Sequence, residues 1–160
     1  MALMINRIVS GGQTGADRGG LDAAIELGIP HGGWCPKGRK AEDGVIPAIY
    51  ELNETNSADY RVRTERNVVD SDATVIFTCG PLDGGSLLTA QCAKKHGRAW
   101  LHLDLSGRPY AESIEQFQSW LDGLGKGVVL NVAGQRESKS PGLQIQVREF
   151  LVEALKEGHD

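Results

Sequence analysis

The segment Ser10–Asp17, which reads Ser-Gly-Gly-Gln-Thr-Gly-Ala-Asp, constrains the fold more than any other part of this sequence. It follows an apolar run, Ile5–Val9, that is typical of a buried strand, and it precedes an amphipathic stretch that begins near Gly15 and stops at Gly28. A glycine-rich turn between a strand and a helix lets the backbone approach a ligand, and the first helical N–H groups have no partner within the helix. The segment therefore predicts an anion site, with a phosphate ester as the expected ligand.

This loop matches neither common phosphate fingerprint. Gly11 and Gly12 are adjacent, which excludes the pattern G-x-G-x-x-G, and no Gly-Lys-Ser or Gly-Lys-Thr follows, which excludes the P-loop pattern. Thr14 and Asp17 also fit a capping box at the N-cap and N3 positions, which any helix can use. A phosphate cradle formed by Gly11, Gly12, Gln13, Thr14 and Gly15 and an ordinary helix start both remain open interpretations.

The rest of the chain alternates between strand and helix patterns. Strands are predicted at Thr74–Thr78, Ala99–Leu103 and Val128–Val132, and helices at Leu21–Leu27, Ser86–His96, Glu112–Leu124 and Pro141–Lys156, the last with Ser140 as N-cap. This alternation predicts right-handed crossovers and an α/β, doubly wound, mainly parallel sheet with helices on both faces. A length of 160 residues is typical of a single domain, here residues 1–160.

Three glycine-bearing loops follow predicted strands. One is the loop after Ile5–Val9; the second contains Gly84, Gly85 and Ser86 at a helix start; and the third contains Gly134, Arg136 and Ser138. In an open parallel sheet, ligands bind outside the carboxyl ends of the strands. We therefore expect the three loops to hold one ligand with more than one anionic group, although each loop alone is also an ordinary turn.

The segment Gly32–Asp59 interrupts the alternation. It is long, contains several glycines and prolines, and is charged, and such loops inside compact domains are usually functional or disordered. Lys37 and Arg39 are candidates to reach an anion at the edge of the sheet. The alternative is a solvated basic surface loop that Glu42 and Asp43 balance.

Five blocks of the sequence together resemble the molybdenum carrier family, nearly end to end and in the same order. They are SGGQTGADRGGLDAA (10–24), GGWCPKGRKAEDG (32–44), RTERNVVDSDATVIF (63–77), GGSLLTA (84–90) and LNVAGQRESKSPG (130–142). The resemblance implies a Rossmann-like fold similar to that of the lysine-decarboxylase-like phosphoribohydrolases. It also implies a homo-oligomer, a dimer or tetramer, and a phosphorylated pterin or nucleotide as ligand, with molybdenum cofactor as the cargo of carrier members.

Arg63 and Asn67 lie one helical turn apart and can share a face of a helix. A guanidinium suits bidentate contact with a phosphate or a carboxylate. The spacing alone is equally consistent with a solvated helix face on which Glu65 balances the arginines. The resemblance to the carrier family favours a position of Arg63 and Asn67 facing the pocket.

Binding or carriage is the expected function, because one feature of the hydrolase relatives is missing. Those relatives carry a glutamate on the helix after their second glycine loop, whereas Gln91 stands on the corresponding helix here. Without this acid, glycosidic hydrolysis lacks its proton-transfer group. A nucleotide-processing hydrolase remains the alternative, with Glu65 or Glu137 as its candidate carboxylate, and an interaction module whose loops are only turns is the third possibility.

Composition excludes several classes of protein. The net charge is −4, so no basic field favours DNA or RNA, and no apolar run reaches the length of a membrane span. Three cysteines without C-x-x-C spacing, and an N-terminus too short for an export signal, predict a reducing compartment and a cytoplasmic location. Cys79 and Cys92 are expected in the core; Cys35 is either a soft ligand or has no chemical role. The four scattered histidines predict no metal site in the protein.

Overall fold

The computed structural model describes residues 5–156; residues 1–4, on which the prediction about an export signal falls, and residues 157–160 lie outside it. The elements of the described part are β1 (Ile5–Val9), α1 (Ala16–Leu27), β2 (His31–Gly32), β3 (Trp34–Cys35), β4 (Lys40–Ala41), β5 (Gly44–Val45), β6 (Asn53–Glu54), α2 (Tyr60–Val69), β7 (Ala73–Thr78), α3 (Gly84–Lys95), β8 (Ala99–Asp104), α4 (Tyr110–Leu124), β9 (Val128–Gly134) and α5 (Leu143–Leu155). Of the helices in residues 5–156, none is both long and apolar enough to cross a membrane.

The central sheet has the strand order β2-β1-β9-β7-β8, and each neighbouring pair runs parallel. The last strand of the chain, β9, lies between β1 and β7, so that Asn131 is aligned with Val9 on one side and with Thr74 on the other. The Asn131 amide donates a hydrogen bond of 3.2 Å to the Thr74 hydroxyl across this junction. Because parallel strands end at the same edge, the loops that follow β1, β9 and β7 lie side by side.

Helices cover both faces of the sheet, as predicted. On one face, α1, α4 and α5 share the main core with alternate strand residues, and the buried ring of Phe150 lies 5.2 Å from Phe77 and 5.7 Å from Phe117 in edge-to-face geometry. On the other face, α2 and α3 pack through Val68, Cys92 and Ala93. The doubly wound α/β, Rossmann-like fold class is therefore confirmed.

The irregular segment between α1 and α2 is held by a core of its own. Leu21 of α1 packs with a second buried cluster from this segment, made of Cys35, Ala41, Ile46 and Tyr50. The short strands within it pair as β3 with β6 and β4 with β5, the second pair forming an antiparallel hairpin. The segment is thus ordered, and its hairpin is placed against the start of α1.

The first helix begins near Gly15 as predicted, but two side-chain caps suggested by the sequence are not formed. The N-cap of α1 is Gly15, with φ of 82°, and no side chain caps it, so Thr14 and Asp17 do not form the predicted capping box. The N-cap of α5 is Gly142, with φ of 92°, rather than Ser140. In both places the chain enters the helix through a positive φ that favours glycine, which moves the first helical residue beyond the side chain that the sequence pattern favoured.

The two cysteines predicted to lie in the core differ in exposure. Cys92 is buried on α3, whereas Cys79 is exposed. Cys79 follows the last residue of β7, and its backbone N–H donates to the side chain of Gln135 at 2.8 Å. The prediction fails for Cys79 because this residue belongs to the loop at the edge of the sheet and not to the strand.

Candidate functional site

A cavity of about 480 Å³ opens at the carboxyl edge of the sheet, where the loops after β1, β7 and β9 meet the first turns of α2 and α3. Its polar lining combines two carboxylates, four cationic side chains, several amides and hydroxyls, and the start of a helix: Gln13, Asp17, Tyr60, Arg61, Arg63, Thr64, Asp83, Gly84, Gly85, Ser86, Thr89, Gly134, Gln135, Arg136 and Lys139. The volume is in the range of pockets that hold small molecules. The position is the one expected for an open parallel sheet.

Of the residues predicted from sequence to bind ligand, about half line this cavity: Gln13, Arg63, Gly84, Gly85, Ser86, Gly134 and Arg136. The structure places the others outside its lining: Gly11, Gly12, Thr14, Gly15, Lys37, Arg39, Asn67 and Ser138. All three predicted loops contribute to the cavity. The predicted and observed linings differ in which residues of each loop face the cavity.

The N-terminus of α3 offers free donors to the cavity. Within residues 5–156, the backbone N–H groups of Gly84 and Gly85 have no hydrogen-bond acceptor, while those of Ser86 and Leu87 donate to the carbonyl of Asp83 at 3.0 and 3.2 Å. The Ser86 hydroxyl accepts the Asp83 N–H at 3.0 Å, which fixes the entry to the helix. A Cβ added at Gly85 would meet no atom within 4 Å. Free N–H groups at the positive end of a helix dipole are suited to an anion.

The loop that precedes α1 uses its donors within the chain. The N–H of Gly12 donates to the Ser10 hydroxyl at 3.3 Å, that of Gln13 to the Asp17 carboxylate at 3.1 Å, and that of Thr14 to the Gln13 side chain at 3.1 Å. Of Gly11–Gly15, only Gln13 lines the cavity. The phosphate cradle expected of this loop stays a prediction, and the contacts in the structure give its amides an internal role.

Packing accounts for two glycines of the same loop. A Cβ on Gly12 would lie 2.6 Å from Leu52 and 2.9 Å from Ile46, away from the cavity. A Cβ on Gly15 would lie 2.4 Å from the carbonyl oxygen of Gln135. These glycines let the β1 loop fit between the irregular segment and the β9 loop.

Arg63 is the most enclosed cation of the cavity. Its Nη1 donates to the Thr64 hydroxyl at 2.5 Å, its Nη2 lies 3.7 Å from the Asp17 carboxylate, and its guanidinium lies 5.5 Å from the centre of the Tyr60 ring. Its side chain is 14% exposed. Among the buried side-chain nitrogen and oxygen atoms of residues 5–156, only the Nε of Arg63 lacks a hydrogen-bond partner. The arrangement holds a preoriented guanidinium in the cavity lining, while its unpartnered Nε is buried.

Asp17 is a functional candidate that the sequence analysis missed, because its spacing from Thr14 suggested a helix cap. The residue is buried, at 5% exposure, and its carboxylate lines the cavity. Burial raises the pKa of this carboxyl above its usual value, although Arg63, the Gln13 N–H and Arg18 oppose the shift. A buried carboxyl with a raised pKa beside an arginine in a cavity is a recognised feature of functional sites.

Thr14, Ser138 and Arg136, all predicted to bind ligand, surround a carboxylate of the chain itself. Glu42, at the tip of the β4–β5 hairpin, accepts hydrogen bonds from the Thr14 hydroxyl, from the Ser138 hydroxyl at 2.5 Å and from the Ser138 N–H at 3.1 Å. Arg136 Nη1 lies 3.9 Å from the same carboxylate. Burial by itself would raise the pKa of Glu42, but the hydrogen bonds from Ser138 and Thr14 outweigh it and the pKa lies below its usual value.

Lys37, Arg39 and Asn67 have positions that differ from the predicted ones. Lys37 is exposed, and Arg39 donates to the carbonyls of Ile46, Pro47 and Tyr50, so it holds its own segment together. Asn67 forms hydrogen bonds to both the N–H and the carbonyl of Trp34, at 2.8 and 2.9 Å.

Asn67 thus joins α2 to β3 instead of facing the cavity. The side chains of Arg39 and Asn67, which could bind an anion, are thus used to fix the irregular segment, which spacing alone could not reveal.

Neither glutamate considered for hydrolysis lies in the cavity lining. Glu65 faces α3, with its carboxylate 2.8 Å from His96 Nε2 and 3.3 Å from Lys95 Nζ. Glu137 accepts the N–H groups of Gly142 and Gln144, at 2.6 and 3.0 Å, and so satisfies the start of α5. Both have structural partners, and the carboxylates that do line the cavity are those of Asp17 and Asp83.

Metal ligands are not clustered in the described part of the chain. Within residues 5–156, no group of three or more His, Cys, Asp or Glu side chains is arranged to hold a metal ion. Cys35 is fully buried, and burial raises the pKa of its thiol, so it packs as an apolar residue in the second cluster. Cys35 is not among the residues that line the cavity.

Comparison with known proteins identifies relatives. Residues 8–155 match the family described as the circularly permutated YpsA SLOG family. The crystal structure of a proposed molybdenum carrier protein from Syntrophus aciditrophicus SB is similar to this chain, with 44% sequence identity, a TM-score of 0.90 and 97% of each chain covered. Among curated proteins, none matches this chain with significant similarity.

These similarities extend over almost the whole chain and include the elements that form the cavity. The resemblance to the molybdenum carrier family is confirmed by the fold and by the sequence identity. The match over residues 8–155 includes the three loops and the hairpin described above. The chain therefore belongs to the circularly permutated YpsA SLOG family.

Proposed function

We propose that this protein binds and carries a small phosphorylated molecule, a pterin such as molybdenum cofactor or a related nucleotide, in the cavity at the carboxyl edge of its sheet. The observation that supports this most strongly is the α3 N-terminus, where the free N–H groups of Gly84 and Gly85 line a cavity of about 480 Å³. Arg136 and Lys139 line the same cavity. Helix N–H groups and cations together are a common way to bind phosphate.

Other residues of the cavity lining suit the organic part of such a ligand. Tyr60, with Arg63 over its ring, and Leu88 of α3 also line the cavity, and a planar ring can pack against aromatic and guanidinium planes. The similar protein from Syntrophus aciditrophicus SB is a proposed molybdenum carrier, which supports molybdenum cofactor as the cargo. The expected dimer or tetramer remains a prediction that light scattering of the purified protein tests.

The test is a titration with a simple phosphomonoester, adenosine monophosphate, followed by amide ¹H–¹⁵N spectra of the protein. We expect the amides of Gly84 and Gly85 to shift in a saturable way, because a bound phosphate accepts their hydrogen bonds. Native mass spectrometry of protein taken directly from its host identifies the natural cargo by mass. Unshifted Gly84 and Gly85 amides, together with no retained ligand, would contradict the proposal.

A second candidate function is a nucleotide-processing hydrolase, and the position of Asp17 favours it. Asp17 is a buried carboxyl in the cavity with a raised pKa, which a general acid requires. We nevertheless place binding first, because the Asp17 carboxylate already accepts the Gln13 N–H and faces Arg63. Release of free base from nucleoside monophosphates, over many turnovers and abolished by Asp17→Asn, would reverse this order.

A further inference from the structure

The carboxylate of Glu42 occupies a set of donors that come from other parts of the chain. Ser138 donates both its hydroxyl and its N–H to this carboxylate, and Thr14 donates its hydroxyl. The Thr14 oxygen is itself oriented, because it accepts the Glu137 N–H at 3.1 Å. Two hydroxyls, a backbone N–H and the nearby Arg136 guanidinium form the kind of donor set that binds the oxygens of a phosphate group.

Glu42 reaches these donors from an exposed hairpin tip. Its side chain is only 18% exposed, although the residue belongs to an exposed turn that ends at Val45, which is 71% exposed. The base of the hairpin is anchored by the buried residues Ala41 and Ile46. The carboxylate is therefore held by polar contacts at the surface, and its withdrawal does not require any core residue to move.

A separate contact holds the hairpin in place. Asp43, the next residue, forms two hydrogen bonds with Arg18, at 2.6 and 2.9 Å. Arg18 is in turn fixed by donation from its Nε to the Gly12 carbonyl at 3.0 Å. Release of Glu42 thus leaves the hairpin attached to α1.

The donors around Glu42 adjoin the cavity. Arg136 lines the cavity and also lies 3.9 Å from Glu42. Gln13 likewise lines the cavity, and its side-chain oxygen accepts the Glu42 N–H at 2.9 Å. A ligand in the cavity that carries a further anionic group can reach these donors without crossing the core.

We propose that Thr14, Arg136 and Ser138 form a second oxyanion subsite, which Glu42 fills in the structure and which a terminal phosphate of the ligand occupies by displacing Glu42. The inference rests on the proposed function, because Arg136 connects the subsite to the cavity. The ligand class is thereby narrowed to molecules with two anionic groups, such as a diphosphate ester. The Glu42 carboxylate then acts as an internal competitor that keeps a single phosphate group out of the second subsite, while the α3 N-terminus stays open to it.

The test compares Glu42→Ala with the parent by ¹H–¹⁵N spectra, with the Ser138 amide as the reporter of the subsite and the Gly84 and Gly85 amides as reporters of the cavity. Three probes test which kind of phosphate group reaches the subsite. They are inorganic phosphate, adenosine monophosphate and adenosine diphosphate. In the parent, we expect only the diphosphate to shift the Ser138 amide. In Glu42→Ala, we expect inorganic phosphate to shift the Ser138 amide as well, at concentrations that leave this amide unchanged in the parent, since the competing charged hydrogen bonds are gone.

Glu115→Ala is the matched control, because it removes one negative charge from an exposed position on α4. This variant should bind phosphate as the parent does, which separates the subsite from the effect of net charge. Glu42→Gln is the second variant if Glu42→Ala does not fold; its neutral amide should be displaced more easily than the carboxylate.

A Ser138 amide that responds to phosphate no more strongly in the folded Glu42 variant than in the parent would overturn the subsite and assign Glu42 a purely structural role. If adenosine diphosphate shifts the Ser138 amide but leaves the Gly84 and Gly85 amides unchanged, the result would instead contradict the proposed function alone.

Discussion

Gly11 lies directly against the side chain of Arg63: a Cβ added to Gly11 would stand 2.6 Å from Arg63 Nε and 2.7 Å from its Cδ. The backbone of the β1 loop at Gly11 thus packs against Arg63, the most enclosed cation of the cavity. Because Arg63 also lies 3.7 Å from Asp17, this contact places a guanidinium from α2 beside a carboxylate from α1. The first glycine of the loop serves the site by positioning an arginine.

The first prediction is that Gly11→Ala weakens ligand binding while the protein stays folded. The added methyl group displaces Arg63, but it meets a flexible side chain and not the backbone, and Gly11 has no positive φ. Titration with adenosine monophosphate, combined with thermal unfolding, measures both effects. Gly123→Ala on α4 is the matched control, because its Cβ would meet no atom within 4 Å. Unchanged affinity in Gly11→Ala would mean that Arg63 does not contact the ligand.

The second prediction is that Gly12→Val destabilises the fold. A valine there would meet Leu52 and Ile46, at 2.6 and 2.9 Å for its Cβ alone, and would have to adopt a φ of 77°. Overpacking and backbone strain each cost about 1–3 kcal/mol. The free energy of unfolding in urea is the measurement. A Gly12→Val protein as stable as the parent, with selectively weakened phosphate binding, would restore Gly12 to the ligand site.

The third prediction concerns the two cations that the loop after β9 contributes to the cavity lining. We expect Arg136→Ala to lower the affinity for adenosine diphosphate by roughly tenfold, and by more than Lys139→Ala does. Arginine offers a planar fork to phosphate, whereas Lys139 is already paired with Asp83 at 2.7 Å. Lys126→Ala, at an exposed position, is the control for a lost positive charge. A larger loss at Lys139 would show that Lys139, and not Arg136, is the main cation that binds the phosphate groups.

The fourth prediction is that Asp17 makes the protein less stable as pH rises above the usual pKa of the group. Its folded-state pKa is raised above 3.8, so the folded protein holds this proton where the unfolded chain has released it. The free energy of unfolding therefore falls as pH rises from the unfolded to the folded pKa, and stays lower above that window.

This dependence is measured by urea unfolding across pH, and the carboxyl ¹³C resonance of Asp17 gives its pKa directly. Asp17→Asn should remove the part of the decline in the free energy of unfolding with rising pH that Asp17 causes. A carboxyl that titrates at or below 3.8 would show that Arg63 and Arg18 outweigh burial.

Much of the local structure could be predicted from the sequence, because it depends on neighbouring residues. Apolar strands, the 3.6-residue periodicity of α4 and the glycines at helix ends are local signals, and they also predict the doubly wound α/β class. The start of α3 at Gly84 and Gly85 was a candidate anion site for the same reason. Where local rules competed, as at Thr14 and Ser140, the positive φ of the following glycine decided the helix start.

The sequence by itself determined the strand–loop–helix units and the residue types that its loops carry. Only the tertiary structure decided that β9 lies between β1 and β7, which brings the three loops together at one edge. It also decided which polar groups stay free. The Gln13 and Thr14 amides, Arg39 and Asn67 are used to satisfy partners within the chain, while Gly84 and Gly85 are not. The physical reason is that each buried donor must find an acceptor, and acceptors far away in sequence exist only once the chain has folded.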